Sequence, residues 1–276
     1  MPKFPILLTT RELRSKHFHA WEQKFYHDVW KMDYVRADDL RQDRPGPPVR
    51  VSAQPNRDER GTGWVGGVEQ VRINSPETEE LVLTSASGRF RWRAWLDQAG
   101  ESRLEQTDVE SGQMVPIWRQ RGWARIEMAS DPVRDRLVYG QCGGPLQSWD
   151  AKSAVIEPIE MPIRQGISDL SFAPDGRALA FVHAGEVYSH RLGSDLCQQV
   201  SQLSDEGKLA PAVTHLNPQW SPDGKRIFYI VHSYLWRGAQ ISDQFALMAA
   251  LPDGSQRRLV LEQTCVADFR VGEIGA

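Results

Sequence analysis

Cysteine is scarce in this chain of 276 residues, and its few copies follow no pattern. The three cysteines, Cys142, Cys197 and Cys265, are far apart and odd in number, which argues against a disulfide framework and matches no zinc-ligand spacing. Such cysteine usage suits a reducing compartment. The N-terminal sequence MPKFPILLTTRELR also lacks the apolar core and cleavage site of a secretory signal. We therefore expect a cytoplasmic protein.

Long apolar runs and an excess of positive charge are missing too. No run approaches the roughly 18 apolar residues that a membrane-spanning helix needs, so we expect no membrane insertion. The net charge of −3 does not favour nucleic acid as a partner of the whole chain. The glycine-rich GTGWVGG at Gly61 lacks the Lys-Ser/Thr of a phosphate-binding loop, and no Gly-x-Ser-x-Gly nucleophile motif occurs. The sequence therefore indicates no cofactor.

One phrase is written twice: WSPDGKRIFYI begins at Trp220 and FAPDGRALAFV begins at Phe172. In each copy proline sets φ for the first corner of a turn, aspartate bonds the backbone ahead of it, and glycine supplies the left-handed corner. A β-rich run follows each turn, so each copy predicts a strand, a turn and a second strand. A repeat of about 40 to 50 residues is typical of propellers and arrays.

The pattern extends to four units between about residues 65 and 263, each with four candidate strands. In the last two units the phrase starts a hairpin, and two further strands follow. The second unit opens its turn at Asp131-Pro132. For the first unit we take 75–77, Ser-Pro-Glu, as the turn, 81–83 as the second strand, and FRWRAWLD and SRLEQT as the third and fourth. Fold class is therefore predicted as all-β.

The two clear copies resemble the WD40-like, or PD40, repeats of TolB-type β-propellers, whose signature is a WSPDG turn followed by an apolar strand. The match is good at 220–230 and 172–182, while the first two units lack the Asp-Gly pair. The resemblance implies blades of four antiparallel strands around an axis, and partners that are proteins of a larger assembly. It carries little information on function.

The chain ends suggest how the propeller closes. After the fourth unit only TCVADFRVGEIGA remains, which reads as one strand of a further blade. HDVWKMDYV and PPVRVSA near the N-terminus could supply its missing strands and avoid an open sheet edge. We favour five blades, the last shared by both termini, with a four-bladed or open arrangement as the alternative. The predicted division is an N-terminal extension, 1–62, and a propeller, 63–276.

Part of that extension has a helical pattern. Thr9 and Glu12 have capping-box spacing, and Phe18, Trp21, Phe25 and Val29 recur every three or four residues. We expect a helix from about 10 to 25 that passes into a strand near 28.

Arginines provide the candidate partner-binding residues. In GRFRWRAW, Arg89, Arg91 and Arg93 alternate with aromatic residues, so on a strand they share one face and could hold an acidic partner. Trp21 and Phe25 could form a second contact. The plainer alternative is a solvated strand face with the aromatic side chains directed inward.

A site at the mouth of the central channel would use His183, His232, Asp169 and His215. His183 and His232 are expected at matching places just after the second strands of their units. No third ligand lies near His17 and His19, so no metal site is predicted. Asp175 and Asp223 are expected to bond their own turns, and Cys142 to lie in a plain connection rather than to act as a nucleophile.

The sequence thus predicts a non-catalytic propeller scaffold that binds other proteins, on a frame whose end loops are suited to recognition. One alternative is a propeller enzyme, a lyase or hydrolase with its site at the central channel. Another is a sensor that binds a small ligand or Ca²⁺ at the axis.

Overall fold

A computed structural model gives the structure of the protein. It describes residues 3–13, 25–35, 44–45, 49–50, 62–65, 68–71, 81–96, 99–121, 126–141, 144–202, 212–237, 240–263 and 266–271. The chain divides into two compact units, one formed by residues 1–74 and 201–276 and the other by 75–200. The predicted boundary after residue 62 stays a prediction.

The first unit begins with strands where a helix was expected. Its N-terminal strands are β1 (Lys3–Leu13), β2 (Phe25–Val35), β3 (Arg44–Pro45), β4 (Val49–Arg50), β5 (Thr62–Val65) and β6 (Val68–Val71). β1 pairs with β2 from Lys3↔Val35 to Leu13↔Phe25, while β5 and β6 form a separate hairpin.

The helix expected from about residue 10 is therefore wrong at 10–13 and at Phe25; Trp21 lies outside the described residues. Local spacing was a poor guide because β1 pairs with a strand on each side, β2 and a C-terminal strand, and such pairing overrides helical periodicity.

The second unit contains three four-stranded antiparallel sheets, each connected strand to neighbouring strand. The first sheet has β7 (Leu81–Thr84), β8 (Phe90–Leu96), β9 (Glu101–Asp108) and β10 (Met114–Arg121). The second has β11 (Ile126–Ser130), β12 (Arg136–Gln141), β13 (Gln147–Asp150) and β14 (Val155–Pro158). The third has β15 (Ile167–Phe172), β16 (Ala178–His183), β17 (Glu186–Arg191) and β18 (Cys197–Gln199). We call these sheets blades A, B and C.

The remaining strands belong to the first unit. A four-stranded sheet, blade D, has β19 (Ala212–Trp220), β20 (Ile227–Arg237), β21 (Gln240–Ala250) and β22 (Arg258–Gln263). The last strand, β23 (Val266–Val271), pairs with β1, so strands from both chain ends share one sheet, as predicted. The number of blades stays a prediction.

A common hydrogen bond aligns the blades. The first residue of each hairpin turn donates its N–H to the carbonyl five residues later, as in Ala173→Ala178 and Ser221→Arg226. Asp131→Arg136 and Ser85→Phe90 repeat this bond in blades B and A. The turn of blade A is therefore 85–88, Ser-Ala-Ser-Gly.

Our division of the first sequence repeat, which forms blade A, into strands was thus wrong by one strand. β7 is its first strand rather than its second, and β10, which the sequence analysis did not recognise, is its fourth. The Ser-Pro-Glu stretch resembled a turn, but Gly88 provides the left-handed corner with φ of 77°.

Buried side chains pack the blades of the second unit face to face. Between blades A and B lie Phe90, Trp92, Leu104, Leu137 and Tyr139. Gln106 of blade A also spans this interface, since its Oε1 accepts hydrogen bonds from the indole N–H groups of Trp92 (3.1 Å) and Trp149 (2.7 Å). Gln106 and both tryptophans are buried, so a different packing of blades A and B would leave buried polar groups without these hydrogen bonds.

Between blades B and C the core contains Ala129, Val138, Leu146, Leu179 and Phe181. The expected all-β fold of four-stranded antiparallel blades is confirmed, and the described residues contain no helix. Within them, accordingly, no helix is long and apolar enough to cross a membrane.

Candidate interaction surface

Strand β8 orients the predicted arginines. Phe90 and Trp92 are buried between blades A and B, while Arg91 and Arg93 are exposed on the opposite face of the sheet. This is the alternation that a strand imposes on neighbouring residues. The predicted common face therefore holds for Arg91 and Arg93. Arg89 precedes β8 and lies in the turn instead.

Arg89 is engaged within its own blade. Its guanidinium contacts one carboxylate oxygen of Asp108 through Nε (2.9 Å) and NH2 (2.8 Å). The hydrogen bond to Asp108 raises the pKa of Arg89. The pKa of Asp108 is lowered, most strongly by the hydrogen bond from the backbone N–H of Ser111 and next by the hydrogen bond from Arg89. Both charges are thus matched, which leaves Arg89 suited to holding two turns of blade A together.

Arg93 stacks on an aromatic ring. Its guanidinium carbon lies 4.5 Å from the centre of the Trp95 ring, within the range of a cation–π contact. Arg93 also lies directly across from Glu105 in the pairing of β8 with β9. These neighbours hold the side chain against the sheet, so Arg93 is partly satisfied without any other molecule.

Three arginines that the sequence analysis did not single out extend the same face. Arg103 on β9 lies opposite Trp95 and Arg119, and Arg121 on β10 lies opposite Glu101. We call the face of Arg91, Arg93, Trp95, Arg103, Arg119 and Arg121, with Glu101 and Glu105, the arginine surface. The alternation of charged with other residues in ESRLEQTD and WRQR indicates this face, but the sequence analysis did not recognise β10 as a strand.

The arginine surface is basic although the chain is acidic. Five arginines against two glutamates give it a net charge of +3, while the whole chain has −3. One pair is internal, because Arg103 donates to Glu101 at 3.2 Å. Exposed Met114 and Pro116 lie beside the charges on β10.

Comparison with blades B and C shows that this face differs from the corresponding face of each of them. Each blade can be aligned on the turn residue that donates the shared hydrogen bond. The residue six positions after this donor is Arg91 in blade A, Leu137 in blade B and Leu179 in blade C. Both leucines are fully buried, at 0% exposure, between neighbouring blades. Arg93 likewise corresponds to buried Tyr139 and Phe181. Blade A therefore has charged, exposed residues where blades B and C have the apolar residues of a blade-to-blade contact.

The channel-mouth candidates of the second unit are Asp169 and His183. Asp169 lies at a bulge of β15 with φ of 52°, and its backbone N–H donates to buried Glu127 at 3.0 Å. His183 ends β16, edge-on to the Tyr188 ring at 5.9 Å between centroids. Asp169 is thus joined to blade B through its backbone, and His183 contacts Tyr188 of its own blade.

The candidates of the first unit are His215 and His232. His215 is fully buried and packs edge-on against Tyr229, with 5.5 Å between ring centroids. His232 stacks on Phe245 at 4.3 Å. Because His215 pairs with Val231 and His232 with Thr214, the two imidazoles lie on opposite faces of the sheet.

His183 and His232 do not occupy matching positions. His183 is ten residues after Ala173, the first residue of its turn, and the residue ten after Ser221 is Val231. His232 is therefore displaced by one position, which on a strand means the opposite face.

The turn aspartates behave as expected. Asp175 accepts a hydrogen bond from the N–H of Arg177 (2.9 Å), and Asp223 accepts from that of Lys225 (3.1 Å). Among the described residues no group of three His, Cys, Asp or Glu side chains could hold a metal ion. Cys142, His17 and His19 lie outside the described residues, and so does the side chain of Phe25.

No protein-family model and no curated protein matches the chain. The chain is similar to a protein assigned as TolB from Agrobacterium tumefaciens at 12% identity, over 96% of this chain and 90% of that one, with a TM-score of 0.49. It is similar to a chain of a nidogen/laminin complex at 12% identity over 100% of both chains, with a TM-score of 0.47.

A third similar structure is oligogalacturonate lyase from Vibrio parahaemolyticus, at 13% identity over 93% of this chain and 67% of that one, with a TM-score of 0.44. Likeness at this level concerns architecture and says nothing of activity. The chain's own sheets confirm, at the level of fold, the resemblance to TolB-type propellers.

Proposed function

We propose that the chain is a non-catalytic, cytoplasmic scaffold that binds a protein partner through the arginine surface. The observation that supports the proposal is that one face of blade A has charged residues where the corresponding faces of blades B and C have apolar ones. Blades B and C bury leucine and aromatic side chains at the positions where blade A exposes Arg91 and Arg93. A face of this composition suits a polar, exchangeable contact better than a permanent apolar one.

The frame behind the surface is suited to recognition because buried hydrogen bonds hold its strands in place. Trp92, on the inner face of β8, is fully buried, and its indole is tied to Gln106. Gln106 in turn donates to the carbonyl of Ala151 in blade B at 3.0 Å. Side chains on the outer face of β8 are therefore presented from a backbone that a partner need not reorganise, which lowers the cost of binding.

The test is purification of the tagged full-length chain from its native cells at native expression, with partners quantified by mass spectrometry. We expect one protein at a constant molar ratio after two purification steps, and cross-links from that protein to β8–β10. A chain that purifies alone, or with partners at variable and trace ratios, would contradict the scaffold function.

A further inference from the structure

We infer that the arginine surface binds an extended, acidic segment of a polypeptide partner. This inference rests on the proposed function and specifies the chemistry of the partner at the same surface. It depends on which arginines are available, on what else shares the surface, and on the spacing that the strands impose.

Three arginines are available for binding. Arg91, Arg119 and Arg121 are exposed and form no hydrogen bond or ion pair within the described part of the chain. Arg103 is bonded to Glu101, and Arg93 is stacked on Trp95. Guanidinium groups bind carboxylates in a planar, two-point geometry, so the available arginines favour glutamate or aspartate side chains as ligands.

The other residues of the surface favour a polypeptide over a nucleic acid. Glu101 and Glu105 would repel a continuous phosphate backbone but can lie between the carboxylates of a peptide. Arg93 already stacks on one face of the Trp95 ring, so a base would compete with this guanidinium for stacking there. Met114, 67% exposed, offers an apolar contact of the kind found in protein interfaces.

Strand geometry sets the length of the segment. Arg91 lies in the row of Thr107 and Met114, whereas Arg121 lies in the row of Glu101. These rows are about 20 Å apart along the strands at roughly 3.4 Å per residue, with two strand spacings of about 5 Å between β8 and β10. The diagonal is therefore about 22 Å, and an extended segment of about seven residues would reach from Arg91 to Arg121.

The experiment measures binding of a defined probe to the full-length chain by fluorescence anisotropy. The probe is a fluorescein-labelled peptide of alternating glutamate and threonine, and its control has glutamine in place of glutamate. We expect binding of the acidic probe in low salt, at least tenfold weaker binding of the control, and loss of affinity as NaCl increases.

Matched variants locate the site. R91Q/R119Q/R121Q should weaken binding of the acidic probe at least tenfold, whereas R91K/R119K/R121K should retain part of it. The control R134Q/R177Q/R191Q removes the same charge from three exposed arginines elsewhere in the second unit and should change the affinity less than twofold. Equal losses in the two glutamine variants would overturn the inference, because net charge alone would then explain binding. Thermal melts of each variant verify folding.

Other occupants would overturn it as well. Tighter binding of a labelled single-stranded oligonucleotide, abolished by R91Q/R119Q/R121Q, would assign the surface to nucleic acid. A dimer that dissociates in that variant would assign it to a second copy of the chain.

The native partner separates this inference from the proposed function. If a stoichiometric partner is found but the R91Q/R119Q/R121Q variant retains it, the scaffold function stands and the acidic-segment inference fails. If no partner is found, the proposed function fails.

Discussion

Gly176 permits the close approach of blades B and C because it has no side chain. Its φ is 66°, and a Cβ at this position would collide with the carboxylate of Asp131. That carboxylate is fully buried and accepts hydrogen bonds from Arg136 Nε (3.1 Å) and NH2 (2.8 Å). The turn of blade C thus packs on a charged, fully bonded turn of blade B. Glycine is required both by the backbone conformation and by the space.

We predict that Gly176→Ala destabilises the protein more than Gly88→Ala does. Both substitutions place a side chain at positive φ, which costs about 1–2 kcal/mol. Around Gly88 no heavy atom lies within 4 Å of the added Cβ, so only the backbone term applies there. For Gly176→Ala we expect a total loss of about 3 kcal/mol or more in urea unfolding, because the buried ion pair must also shift. Equal losses for both variants would contradict the contact between the two turns.

At the scale of elements, Asp135 connects blades A and B. Its carboxylate accepts a hydrogen bond from the backbone N–H of Ser87 in the turn of blade A (3.0 Å) and pairs with Lys152 at 3.1 Å. Burial raises the pKa of Asp135, but hydrogen bonds from Ser87 and Lys152 outweigh burial and lower that pKa from 3.8 to about 2. The ionised carboxylate is therefore the form that the folded state favours.

The lowered pKa predicts a specific dependence of stability on pH. A carboxyl group whose pKa is lower when folded contributes stability above about pH 4, and this contribution is lost as the pH falls through about 2. We expect Asp135→Asn to reduce the free energy of unfolding by about 2 kcal/mol at pH 7 and to have little effect near pH 2.

Urea unfolding between pH 7 and pH 2 measures this difference, with Asp195→Asn, at an exposed position of blade C, as the control. A difference between wild type and Asp135→Asn that stays constant over this range would show that the carboxylate charge is not what joins the blades.

Elements were predictable from sequence where residue types alone define a turn. Blades C and D have Pro-Asp-Gly, and their strands were predicted in order. The turn of blade A retains only the glycine of this motif, and the Ser85 hydroxyl accepts the N–H of Phe90 (3.1 Å) as the Ser221 hydroxyl accepts that of Arg226 in blade D (2.9 Å). The arginine surface was half predicted for the same reason: Arg91 and Arg93 share one strand, whereas Arg103, Arg119 and Arg121 join them only through strand pairing.

At the scale of the whole molecule, the two chain ends meet in one sheet. β1 lies between β2 and β23, with Leu8 opposite both Trp30 and Phe269. Pairing between β1 and β2 is local in sequence, whereas pairing between β1 and β23 closes a loop of about 260 residues. A covalent bond between β1 and β23 would therefore remove more conformational entropy from the unfolded chain than one between β1 and β2.

We predict that a disulfide between the chain ends stabilises the protein more than a disulfide within the N-terminal hairpin. Directly opposed residues of antiparallel strands have Cα atoms about 5 Å apart, within the range that a disulfide spans. In a background with serine at 142, 197 and 265, oxidised L8C/F269C should gain about 5 kcal/mol over its reduced form, against about 3 kcal/mol for L8C/W30C. Non-reducing electrophoresis and urea unfolding measure bond formation and stability. If L8C/W30C oxidises while L8C/F269C remains reduced, the chain ends do not share a sheet, and the closing strand lies elsewhere.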